Sequence, residues 1–312
     1  MAGAIEKIEQ DLAKMDEKVA QLREETHKVY NSYLEILGNA VRQQLVLAAY
    51  QICTHTYPDR FLNLSVSERE KLQKFLRQVA ARTQEEIASL LENLPAASEI
   101  PASEWQNEAA AETETETDSH QDTASENDKQ QATSSPNGEA MEWGDTQSTD
   151  LRSQLLGEDP VHPFAKWLEM VESAISNVLH NSSYQANHVL KEAGVLMPEL
   201  PDPLLEMAVH SSANADTSGP PNVIRLYVQA EAPPESQESQ KKSEPVPITV
   251  IALHLGELEF AEPQVMAQRN QLRQLISQFS QLKQAYEQKQ QEWLVATAEA
   301  NWRAIWFEES HP

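Results

Sequence analysis

From Ile5 the apolar positions of the chain fall at Ile5, Ile8, Leu12, Met15, Val19 and Leu22, and they continue through Val29, Tyr33, Ile36 and Ala40 in alternating steps of three and four. Thr26 takes the one polar seat in this register. A 3.5-residue apolar period keeps one seam turned toward a partner helix, so the spacing predicts a coiled-coil helix. After Tyr33 the stripe widens to Leu34, Leu37, Val41, Leu45, Val46, Leu47, Ala48 and Ile52, which predicts that a narrow seam becomes a broadly buried face. Unbroken to Cys53, this helix would be about 72 Å long.

The segment THTYPDRF should end it, because Pro58 lacks a backbone donor and biases Tyr57 away from helical angles. Ser65 with Glu68 and Ser67 with Glu70 both have the spacing of a capping box, in which hydroxyl and carboxylate satisfy each other's free backbone donors. Either could start a second helix carrying Leu72, Phe75, Leu76, Val79, Ile87, Leu90, Leu91 and Leu94 up to Pro95. Residues 1–94 are therefore expected to form a coiled-coil helical hairpin, with the second helix seated on the broad face from Leu37 to Ile52.

Residues 95–150 hold 14 acids against the single Lys129 and few branched aliphatics. Nothing in such a tract offsets the entropy of ordering its backbone, so it reads as a disordered acidic linker. Trp105 and Trp143 interrupt it, and Trp143 is a candidate docking residue. Residues 151–262 read as a small α+β region. A helix carries Phe164, Trp167, Leu168, Val171, Ile175, Val178 and Leu179; a break at Asn181 to Ser183 should separate it from a shorter helix stopped by Gly194. One turn of helix is expected within 204–209, and a β-hairpin from the runs at 222–229 and 247–255, with Leu258 and Phe260 extending the second strand. The Pro- and Ser-rich residues 231–246 read as a disordered insert between the strands. Residues 263–312 read as one long helix opened by Pro263, with Val265, Leu272, Leu275, Phe279, Leu282, Tyr286 and Trp293 on a seam and ten Gln between 264 and 291 over most of the rest. Its aromatic end, Trp302, Trp306 and Phe307, is the candidate partner-binding surface; the alternative is that these rings cap the hairpin's core intramolecularly. The two long seams would pair with each other or with a second copy, and a homodimer is expected. The fold class is thus mainly α: hairpin, acidic linker, and a C-terminal α+β unit ending in a long helix.

Composition narrows the chemistry. A chain of 312 residues has only 8 Gly, where about 22 would be average. Gly138 and Gly144 lie with no adjoining strand, so no phosphate-cradling or dinucleotide loop can be written. The nine His, namely His27, His55, His120, His162, His180, His188, His210, His254 and His311, show no metal-ligand or nucleophile motif, and His180 and His188 could share a face only without the break between them. No catalytic residue, metal site or cofactor is expected. His55, beside Thr54, Tyr57 and Asp59, is the one polar cluster that merits inspection. Cys53 is the only Cys and cannot form an intramolecular disulfide, which fits a reducing, cytoplasmic setting. The longest apolar run, Leu45 to Tyr50, is far short of a membrane span. A net charge of −25, 13 units of it in the acidic tract, opposes binding to nucleic acid and to an anionic membrane surface.

Three stretches, LAAYQICTHTYPDRFLNLSVSEREKLQ at 47–73, PITVIALHLGELEFAEPQVMAQRNQLRQL at 247–275 and AEANWRAIWFEE at 298–309, resemble a family of uncharacterised, acidic coiled-coil proteins of cyanobacteria. The resemblance implies an intracellular cyanobacterial protein and carries no activity or functional residues. The sequence thus points to a non-catalytic scaffold or adaptor. Its alternatives are a small-molecule or enzymatic role in 151–262, and an acidic tract that mimics a polyanion toward a basic partner.

Overall fold

A computed structural model of the chain describes residues 2–96, 160–197, 203, 205–207, 220–228 and 246–308. Nearly all of the acidic linker, including Trp105 and Trp143, and residues 231–245 of the insert lie outside them. The described residues are mainly helical. Helix α1 spans Ala2–Gln51 and passes into a π-helical turn, Ile52–Thr56. Helices α2 (Pro58–Asn63), α3 (Val66–Ala88) and α4 (Leu90–Asn93) follow, then α5 (Val161–Glu192), strands β1 (Val223–Val228) and β2 (Val246–Ile251), α6 (Leu255–Ala261) and α7 (Pro263–Glu308). The expected turn near 204–209 is seen as helix at 205–207.

The chain divides into two compact units. The larger contains Gln21–Leu94 and Leu168–Gln281. Its core is supplied by Tyr30, Leu34, Leu37, Val41, Leu45 and Ile52 of α1, Leu72, Leu76 and Ile87 of α3, Val171, Ile175 and Leu190 of α5, and Leu258, Val265 and Leu272, all buried. Helix α3 packs on α1 as the sequence predicts. Of the two possible capping boxes the structure uses Ser65: its Oγ accepts from Glu68 N–H, and the Glu68 carboxylate accepts from Ser65 N–H at 2.7 Å. The two helices approach closely at Gly38, where an added Cβ would stand 2.9 Å from the Gln84 backbone carbonyl. Gln84 is held there by Arg42, which donates to it at 3.0 Å, and it donates in turn to Asn39 at 2.9 Å.

Several expectations are corrected. Val46, Leu47 and Phe75 were placed on buried faces by the periodicity, but they are exposed. Each lies next to the covered stripe rather than on it. The segment expected as a loop after Cys53 stays helical: the π-turn carries the chain to Tyr57, and Pro58 occupies the first turn of α2, where its missing donor costs nothing. Helix α5 is unbroken through Asn181 to Ser183. The hydroxyls of Ser182 and Ser183 both donate to the Leu179 carbonyl, at 2.9 and 2.8 Å, so the residues read as a break bond back into the helix. Gly194 does stop it, at φ 79°, with Val195 N–H returning to the Leu190 carbonyl and Gly194 N–H to the Lys191 carbonyl. Leu258 and Phe260 do not extend β2. They belong to α6, where Leu258 is buried and Phe260 exposed, a helical rather than an alternating placement.

The smaller unit contains Met1–Ala20, Pro95–Trp167 and Leu282–Pro312. Leu12 and Val19 of the predicted seam are buried in it, while Ile5, Ile8 and Met15 are half-buried. Leu22, just past it, is half-buried in the larger unit. Val161, Phe164 and Trp167 are also buried in the smaller unit, the two rings stacked at 5.7 Å, as are Tyr286, Gln290 and Trp293. Trp293 Nε1 donates to Glu9 at 3.1 Å. Within this unit a direct bond thus joins the first turns of α1 to α7, and both helices carry buried apolar positions there. No helix among the described residues is long and apolar enough to cross a membrane.

Candidate functional site

The densest polar assembly lies inside the larger unit, where α1, α5, α6 and α7 meet. Arg269 of α7 donates through both terminal nitrogens to Glu172 of α5, at 2.6 and 2.8 Å. Its Nε stands 3.2 Å from Glu259 of α6, and Arg273, one turn further along α7, donates to the same carboxylate at 2.6 Å. Tyr30 of α1 donates its hydroxyl to Glu172 at 2.6 Å. The Arg269 guanidinium also lies 5.8 Å from the centre of the Tyr33 ring. A planar fork matched to a carboxylate, lying near an aromatic ring, is the arrangement in which Arg cannot be replaced by Lys without loss.

Electrostatics fix these groups in one protonation state. Burial alone would raise the Glu172 carboxyl, but the bonds from Arg269 and Tyr30 outweigh it and hold it below the usual carboxylate range. Burial raises the Tyr30 hydroxyl well above an ordinary tyrosine, and the Glu172 charge adds to that shift. Tyr33 is likewise raised by burial. Burial would lower Arg269, and Glu172 reverses it. Both Glu172 oxygens are occupied, and Tyr30 is held neutral, donating its proton. The arrangement joins helices; it offers neither a general base nor an accessible acid.

A second polar assembly seats the hairpin. Asn187 of α5 uses both ends of its amide on Ile251: Oδ1 accepts from the backbone N–H at 2.8 Å and Nδ2 donates to the carbonyl at 2.7 Å. Ser183 Oγ accepts from Leu253 N–H at 2.9 Å, and Tyr57 Oη accepts from Thr249 N–H at 2.9 Å. Buried Asn222, at φ 61°, gathers three elements: its N–H donates to Glu257 of α6, its Nδ2 donates to Gln44 of α1 at 3.3 Å, and its carbonyl accepts from Ala252 N–H at 3.0 Å. Asn is among the few non-glycine residues that enter the left-handed region readily.

The residues singled out from sequence do not converge on a catalytic constellation. Thr54 Oγ1 donates to the Tyr50 carbonyl at 2.7 Å and lies 2.8 Å from His55 Nδ1, whose ring meets Tyr50 edge-on at 5.7 Å. Tyr57 instead reaches the strand, with Arg60 over its ring, and Asp59 is exposed. His180 and His188 lie on one continuous helix, as the missing break allows, and His188 stands 3.6 Å from Glu192. No group of three or more His, Cys, Asp or Glu able to hold a metal occurs among the described residues. Burial pushes the Cys53 thiol up to about 11, so at neutral pH it is not the thiolate a nucleophile requires.

Of the candidate partner-binding residues, Trp302 has 69% of its surface exposed; Trp306 and Phe307 continue the same helix, and Trp143 lies outside the described residues. The seam residues Ile5, Ile8, Leu12, Met15 and Val19 are brought together with α7 in the smaller unit. Sequence reading missed Glu172, Arg269, Glu259, Asn187 and Asn222. The first three carried a faint signal, acids and bases placed on otherwise apolar helix faces; the two Asn carried none. Comparison with protein-family models, curated proteins and solved structures finds no match.

Proposed function

We propose that the chain is a non-catalytic scaffold or adaptor acting through protein–protein contacts, in a cytoplasmic setting. The observation that supports this reading is the exposure of large rings at helix ends. Trp302 is 69% exposed near the end of α7, and Phe260 is 83% exposed at the end of α6, on a chain with only 6% aromatic residues. Exposed Trp anchors are the side chains that most often dominate protein interfaces. The polar residues of the 151–262 region, Glu172, Ser183, Asn187 and Asn222, are meanwhile engaged in joining elements. The resemblance to cyanobacterial coiled-coil proteins agrees with this reading and adds a source, not a mechanism.

The test is affinity capture from native lysate with the full chain, with a variant lacking 298–312, and with Trp302→Ala. Residues 298–304 are mostly exposed and lie beyond Trp293, the last buried position of α7 among the described residues. A species held by the full chain and lost from both variants supports the proposal. Identical capture profiles for all three folded proteins would sink it.

A further inference from the structure

The two edges of the β-hairpin are unlike. In an antiparallel pair, alternate residues turn their backbone groups toward the neighbouring strand and the residues between them turn theirs away. The register runs from Val223↔Ile251 to Val228↔Val246, and Ala252 N–H bonds the Asn222 carbonyl. Ile224, Leu226 and Val228 therefore face β2, while Val223, Arg225 and Tyr227 direct their N–H and C=O groups outward. On β2 no outward N–H is left over. Pro247 has no N–H to offer, Thr249 N–H goes to Tyr57, and Ile251 is paired on both sides by Asn187. On β1 no described residue bonds the outward backbone groups of Val223, Arg225 or Tyr227. Val223 is buried, but Arg225 is exposed and Tyr227 is 60% exposed, so the edge is reachable at these two residues. An accessible row of unpaired donors and acceptors is a template for one more strand.

We propose that this edge pairs with the same edge of a second copy of the chain, antiparallel about a two-fold axis at Leu226, to give a continuous four-stranded sheet. The side chains select that occupant and that register. A register with Arg225 opposite its own copy would set two like charges face to face, which is destabilising. Sliding by two residues sets Arg225 opposite Tyr227 of the other copy, twice by symmetry, each guanidinium meeting an exposed ring. The same slide sets the half-buried Leu226 against its copy on the other face of the sheet. Arg225 therefore serves as the register selector as well as a contact. The pairing alone buries less than the roughly 1,600 Å² of a standard interface, so the dimer is weak. Each copy also carries a net charge of −25, so association strengthens with added salt as mutual repulsion is screened.

Sedimentation of the full chain tests this, from about 10 μM to about 1 mM, the range in which association free energies of only about 4 to 7 kcal/mol populate a dimer. The expected result is a concentration-dependent rise toward twice the monomer mass, steeper at higher salt. Arg225→Pro removes one outward donor and the cation but no N–H of the β1–β2 ladder, a position where edge strands accept Pro. It should weaken association at least about tenfold, the factor of about 1.4 kcal/mol, with unchanged circular dichroism. Should that variant misfold, Tyr227→Lys sets two cations in opposition at an exposed position and should abolish the dimer in a folded protein. A monomer at every concentration overturns the proposal, as does self-association that folded Arg225→Pro or Tyr227→Lys leaves intact. So do Arg225 and Tyr227 amides already protected from hydrogen exchange in the monomer, which would mean that the chain's own backbone or a foreign peptide takes the edge. The inference does not rest on the adaptor reading: loss of the dimer leaves Trp302-dependent capture standing, and the converse also holds.

Discussion

Replacing Glu172 by Gln removes the charge on which Arg269 and Tyr30 both depend, and leaves Arg269 partly buried with only Glu259 to balance it. Breaking one side of a buried pair costs about 3–5 kcal/mol; with about a third of the Glu172 side chain still reaching solvent, about 2–4 kcal/mol is expected, read as a lowered denaturant midpoint. The pH dependence has a definite sign. The Glu172 carboxyl is depressed in the folded state, so its contribution is complete above the ordinary value of 4.5 and is lost as pH falls toward the folded value. Tyr30 is raised, so its contribution is complete below 10.0 and fades as pH climbs further. The wild-type stability profile should therefore fall at both extremes, and Glu172→Gln should flatten the acid side. Gly38→Ala tests a different constraint. Alanine favours a helix by about 1 kcal/mol over glycine, but its methyl would meet the Gln84 carbonyl, which is backbone and cannot swing aside. A net loss of about 1–2 kcal/mol is expected on thermal or denaturant unfolding; equal or greater stability would show that the helices can part without cost.

At the scale of elements, what could be read in advance followed the reach of local physics. The capping-box spacing at Ser65 and Glu68, Pro263 opening α7 and Gly194 closing α5 depend on groups within five residues of one another, and all appear as the pattern implied. The break expected at Asn181 to Ser183 failed because Ser and Asn are ambiguous in isolation: the same side chains can end a helix, bond back into it or bind another element. Ser183 both bonds back and accepts from Leu253, and Asn187 reaches 64 positions along the chain to Ile251. No local pattern encodes such a partner. The consequence is testable at Asn187. Asn187→Leu conserves volume but leaves the Ile251 N–H and C=O unpaired in a buried place, and two orphaned backbone groups should cost about 2–4 kcal/mol. Asn187→Asp keeps the acceptor and loses the donor, so it should fall between. Hydrogen exchange at the Ile251 amide reports the local loss directly; protection unchanged in Asn187→Leu would show that the side chain is not what closes the strand edge.

Over the whole molecule, chain order and spatial grouping part company. The seam from Ile5 to Leu22 was legible as a seam, but a heptad pattern does not name its partner. In the structure the first 20 residues are grouped with the chain beyond Leu282, nearly the full sequence away, and the Glu9 to Trp293 bond spans 284 positions. Such a grouping makes the first turns of α1 dependent on residues synthesised much later, Trp293 among them, 284 positions after Glu9. An isolated seam of five or six turns is marginal as a helix in water, since nucleation is unfavourable and most helical stability comes from the packed face. Truncation after Gln281 removes Tyr286, Gln290 and Trp293, the α7 positions buried in the smaller unit, and so uncovers Leu12 and Val19. Amides of residues 2–20 should then exchange rapidly and the segment should become the first site of proteolysis. Residues 21–94, which group with Leu168–Gln281 rather than with the removed segment, should keep their protection. If residues 2–20 stayed as protected in the truncated chain as in the full one, the pairing of the two chain ends would not be what orders them.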